Sequence, residues 1–106
     1  MVSSQSNADI AARLRLLTAE EGGRPAPIEA NYRPRFYIGE FSSDIAIKWI
    51  SGSGKMNPGD EADTTIVFAS PENVASCLTI GAKFELKEGS RTVATGMITD
   101  VWRRSC

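Results

Sequence analysis

Lys83-Phe84-Glu85-Leu86-Lys87-Glu88-Gly89-Ser90-Arg91-Thr92-Val93-Ala94-Thr95-Gly96-Met97-Ile98 is two alternating runs joined by a tight Glu-Gly-Ser-Arg turn. A period of two is the spacing of a strand with one face toward a core. Lys83, Glu85 and Lys87 share the polar face of the first run. The stretch therefore predicts an antiparallel hairpin, with strands over Ala82 to Lys87 and Thr92 to Trp102.

The same grammar recurs upstream. Tyr32 to Ile38 reads as a strand in which Phe36 and Ile38 share one face and Arg33, Arg35 and Tyr37 the other. Pro34 near its start suits an edge position. Ile45, Ile47 and Trp49 alternate with Ala46, Lys48 and Ile50 in the next run, and Ala62 to Ala69 is a further strand rich in Thr, Ile, Val and Phe. Between them, Ser51-Gly52-Ser53-Gly54 and Asn57-Pro58-Gly59-Asp60 are turn chemistry. Pro71 to Thr79 is a longer connection with room for one helical turn. Asp9 to Leu17 reads two ways. Its Ala and Leu residues are good helix formers, with Asp9 as a cap and Gly22-Gly23 as a stop. It also alternates, with Ile10, Ala12, Leu14 and Leu16 on one side and Arg13 and Arg15 on the other. Five or six strands separated by turns imply an antiparallel barrel or sandwich, and a closed barrel leaves no free edge.

A chain of 106 residues, 42% hydrophobic and 24% charged, is of ordinary single-domain size and composition. No apolar run approaches the ~20 residues of a membrane helix. Met1 to Asn7 has neither a basic nor an apolar region of a signal peptide, so the cytoplasm is the expected compartment. The net charge of −1 excludes bulk attraction to nucleic acid and leaves only a local basic patch. Histidine is absent, which removes Ser-His and Cys-His nucleophilic systems and histidine metal sites. Cys77 and Cys106 lack metal or redox spacing and read as one packed and one terminal thiol. No catalytic residue, cofactor or metal site is expected.

Two short motifs invite chemistry and fail on spacing. Gly52-Ser53-Gly54-Lys55 lacks the first glycine and the closing hydroxyl of a phosphate-binding loop: Trp49 and Met56 stand there. Asp60, Glu61 and Asp63 lack the distal glutamate of a calcium loop and read as a solvated strand start. Two basic faces remain: Arg33 and Arg35 beside Tyr37, and Lys83, Lys87 and Arg91 on the last hairpin. Such side chains pair with phosphates and stack on bases. The same residues also suit an ordinary charged exterior, with Glu85 balancing Lys83 and Lys87.

Glu20-Glu21-Gly22-Gly23-Arg24, Tyr32-Arg33-Pro34-Arg35-Phe36-Tyr37, Asn57-Pro58-Gly59-Asp60 and the closing hairpin occur in an order that resembles the third domain of translation elongation factor Tu. The resemblance spans roughly Asp9 to Val101. It implies a single all-β, six-stranded antiparallel Greek-key barrel over residues 9–102, flanked by a flexible tail at 1–8 and another at 103–106. It also implies a strand, not a helix, around Ile10 to Leu17.

In that family the domain packs against a GTPase domain and contacts the T-stem backbone of tRNA. The resemblance thus implies a non-catalytic module that contacts tRNA or a translation-factor partner and binds no GTP, or one that mimics the factor's surface without tRNA. Candidate contact residues are Arg33, Arg35, Tyr37, Lys87, Gly89 and Arg91, with Gly89 matching a turn glycine whose backbone approaches tRNA. Several positions depart from the family. Arg35 replaces a glutamine, Ser70 a basic residue, and Glu85 a small apolar residue facing the GTPase domain. Asp44 stands near a threonine that faces tRNA, where an anion repels phosphate. Ser90 and Ala94 replace glycines. Arg35 and Glu85, on the former interdomain surface, are expected to form a surface ion pair.

Overall fold

The computed structural model describes residues 8–102. Apart from Ala8, the expected tails at 1–8 and 103–106 lie outside the described residues, and Cys106 with them. The described strands are β1 (Ile10–Leu16), β2 (Ile28–Glu29), β3 (Arg35–Ile38), β4 (Phe41–Ile50), β5 (Lys55–Met56), β6 (Glu61–Phe68), β7 (Lys83–Glu88) and β8 (Arg91–Val101). Six of them close a barrel in the order β1-β6-β4-β3-β7-β8, while β2 and β5 form a separate two-stranded ladder. All pairings are antiparallel. Strands β3, β4 and β6 follow one another in space and β7 returns beside β3, which is a Greek key. No helix among the described residues is long and apolar enough to cross a membrane.

The ambiguous first segment is a strand. Ile10, Ala12, Leu14 and Leu16 are fully buried, and β1 is clamped between β6 and β8. Ladders on both sides satisfy its backbone, and that tertiary pairing overrides local helix propensity. The chain then makes a 3-10 turn over Ala19–Glu21, held by a reciprocal capping box between Thr18 and Glu21. Gly22 closes the turn with φ 92.

Pro34 is not on a barrel edge, because the barrel has none. It precedes β3, whose ladder with β7 begins at Arg35, so no bond to β7 is lost where proline lacks an N–H. Proline still offers its carbonyl to the other side, where Ile45 N–H donates to it at 3.2 Å. A second departure lies in β4, where alternation predicts that Trp49 shares a face with Ile45 and Ile47. The β4–β6 register shifts between Ile47 and Trp49, so that Ile50 is buried and Trp49 is 48% exposed. A bulge of this kind inserts one residue and reverses the facing of the residues beyond it.

The core centres on Phe36, which meets Phe68 edge-on at 4.8 Å and stacks on Phe84 at 4.5 Å. Phe84 lies opposite Gly96 on β8, and a Cβ at Gly96 would come within 2.4 Å of the Phe84 ring. The glycine supplies the space that the ring fills.

Candidate functional site

The Gly89-Ser90 turn joins β7 to β8 with two residues, and Glu88 pairs with Arg91 across it. Gly89 has φ 62 while Ser90 stays out of the left-handed region. A glycine at the first of two turn positions is what a type II′ hairpin requires. The turn is tied to the barrel by Glu88. Arg24 Nη1 donates to the Glu88 carboxylate at 2.6 Å, and the Tyr32 hydroxyl donates to the same oxygen. The Arg24 guanidinium also lies 5.0 Å from the centre of the Tyr32 ring. Burial, followed by the Glu88 carboxylate, pushes the Tyr32 hydroxyl up to about 12. The two Glu-Gly-x-Arg turns thus interlock through Arg24 of the first and Glu88 of the second. Hence the carboxylate nearest the Gly89 turn is already matched by a cation.

The outward side chains around this turn follow from register. Arg35 lies opposite Lys87 on β7 and opposite Asp44 on β4. Arg33, two residues earlier and exposed, lies on the Gly89 side of the Arg35–Lys87 pair, because β3 and β7 are antiparallel. Arg91 is exposed beside the turn. Among the described residues, neither Arg33 nor Arg91 has an ion-pair or hydrogen-bond partner. The Lys87 ammonium sits 4.9 Å from the centre of the Tyr37 ring, a contact that pairs it with no anion.

Arg35 behaves differently from expectation. Its guanidinium donates to Asp44 at 2.8 Å and to Ser42 Oγ at 3.0 Å, and it makes no pair with Glu85. Glu85 is opposite Tyr37 and accepts from Thr92 Oγ1 at 3.4 Å. Residues directly opposite in a ladder approach to ~5 Å, whereas diagonal ones stay ~7–8 Å apart. Asp44 is direct to Arg35 and Glu85 is diagonal, so Asp44 takes the cation. The pair leaves the Asp44 carboxylate matched by a cation.

Tyr37, Glu85 and Lys87 line an open groove of about 700 Å³, with Arg13, Lys83 and Met97 along it and Phe84 and Gly96 at its floor. Arg13 is already engaged by Glu61 at 3.6 Å and Asp63 at 3.3 Å. This accounts for two members of the acidic cluster. The third, Asp60, accepts from the backbone N–H of Asn57 at 2.9 Å and closes its own turn. The expected contact residues therefore divide. Arg33, Gly89 and Arg91 lie at the hairpin end, Lys87 and Tyr37 line the groove, and Arg35 stands opposite Lys87. Reading the sequence alone missed the tie from Arg24 through Glu88 to Tyr32. Its one local signal was the repeated Glu-Gly-x-Arg turn.

The class these features define is a small all-β barrel of six antiparallel strands closed in Greek-key order. Residues 3–102 match the elongation factor Tu C-terminal domain family, and the chain belongs to that family. The match covers nearly the whole of the 106-residue chain, and this domain type is non-catalytic.

Proposed function

We propose that this chain is a non-catalytic binding module that takes the phosphate backbone of RNA at the Gly89 end, with tRNA the class its family relationship favours. The observation that carries the reading is the charge balance there. Arg33, Lys87 and Arg91 stand exposed or part-exposed around a glycine turn, and Glu88 is matched by Arg24. Phosphate contacts dominate nucleic-acid affinity, so a local cluster suffices in a chain of net charge −1. Gly89 lets backbone N–H groups come close to a phosphate without a Cβ in the way. A cytoplasmic setting, without GTP, goes with this reading.

The test is binding to aminoacyl-tRNA over a series of salt concentrations. Binding should weaken linearly with log salt, and Arg33→Ala with Arg91→Ala should reduce the slope by about 2, one per lost phosphate contact. Absence of binding down to low salt removes the reading. The second reading is a protein that competes for the parent factor's partners without tRNA. The groove favours it, because its mixed charge and the 41%-exposed Met97 suit a protein surface better than a phosphate backbone.

A further inference from the structure

The outer face that carries Arg33 continues beyond it to Lys48 and Trp49. Ile45 N–H donates to Pro34 O at 3.2 Å, Ile47 N–H to Tyr32 O at 2.9 Å, and Asn31 N–H to Ile47 O at 2.6 Å. These bonds extend the β3–β4 register past Arg35 and Asp44, setting Arg33 beside Ala46 and Asn31 beside Lys48. Lys48 Nζ donates to Asn31 Oδ1 at 3.2 Å, and a neutral amide acceptor leaves its charge uncompensated. The β4 bulge turns Trp49 outward directly after Lys48. No ring or cation contact engages its indole among the described residues.

We propose that Trp49 is a base-stacking platform at the far end of a cationic strip that runs from Arg91 through Arg33 to Lys48. The RNA taken there presents an unpaired base to Trp49, in addition to the backbone phosphates met by the cations. An exposed aromatic next to cations is the arrangement that holds single-stranded nucleic acid, because a base offers its π-face only when it leaves the duplex stack. The other large exposed apolar side chains lack this setting. Phe41 tips the β3–β4 hairpin, Met97 lies in the groove, and Ile80 sits in the loop before β7. The inference rests on the RNA reading above and deepens it by naming a feature of the ligand.

The chain has two tryptophans, Trp49 and Trp102, so Trp102→Phe leaves Trp49 as the sole indole emitter. That protein is titrated at low salt with a short oligouridylate and with a blunt RNA duplex of equal length. Expected is quenching of Trp49 by the single strand. Trp49→Ala should weaken the single strand about tenfold and leave the duplex nearly unchanged, and Trp49→Phe should restore most of the loss. Equal losses on both ligands, or no quenching and no loss, overturn the proposal. If the duplex binds while Trp49 stays silent, this inference falls and the backbone reading stands. If neither RNA binds, both fall together. An emission change seen only with a protein partner also overturns it, in favour of protein docking.

Discussion

Tyr32 and Glu21 show what single ionisable groups contribute. The Tyr32 hydroxyl, ordinarily near 10, is pushed up to about 12 by burial and by the carboxylate it faces. Between these two pH values the unfolded chain has lost a proton that the folded chain keeps. Stability from this group is therefore intact below pH 10 and lost as pH rises toward 12. Tyr32→Phe should flatten that part of the curve when urea midpoints of the two proteins are compared across it. Because the chain has only two tyrosines, Tyr37→Phe isolates Tyr32, whose phenolate absorbance should rise with a midpoint near 12 in the folded protein. A midpoint near 10 would mean that the clamp to Glu88 is open in solution. Glu21 shifts the other way. The Thr18 backbone N–H, followed by Arg15, holds its carboxyl below the usual range. Its contribution is present above the ordinary carboxylate pKa and lost as pH falls, so Glu21→Gln should shallow the acid limb of a stability curve. Thr18→Ala, which removes the other half of the capping box, should cost about 1 kcal/mol in the same denaturant assay.

At the scale of elements, the closing hairpin was legible from local grammar alone. Alternation identified its faces, and the Gly-Ser turn marked the two-residue loop. Its packing was not legible, because Gly96 looks like a weak strand residue until Phe84 is placed against it. Gly96→Ala should destabilise the barrel by ~1–3 kcal/mol, since the ring cannot retreat without disturbing its stack on Phe36. Phe84→Leu, costly alone, should absorb part of that penalty in the double variant, and a denaturation cycle of the four proteins measures the coupling. The β4 strand shows the opposite case. Its alternation placed Trp49 on one face with Ile45 and Ile47, and nothing in the local sequence marked the bulge. The bulge belongs to a pair of strands, so a reading of one strand alone does not reveal it.

At the scale of the molecule, closure depends on β1, which pairs with β6 on one side and β8 on the other. Removal of residues through Leu16 should leave both partners with open edges and strip four fully buried side chains from the core. Such a chain is expected to aggregate or elute as large species in size-exclusion chromatography, where the full chain keeps its compact form. Alternation, turn residues and ordered family motifs determined the strands, the barrel and the family, because these are local patterns or inherited spellings. They also located the candidate contact residues. Only the tertiary structure decided which of those residues remain available. It matched Arg35 with Asp44 instead of Glu85, joined Arg24 and Tyr32 to Glu88, and turned Trp49 outward beside Lys48. The physical reason is that a charge or a ring takes its role from its nearest neighbour across the barrel. In an antiparallel sheet that neighbour is set by the register between strands, as with Arg35 and Asp44, or by a loop folded onto the barrel, as with Arg24 and Glu88.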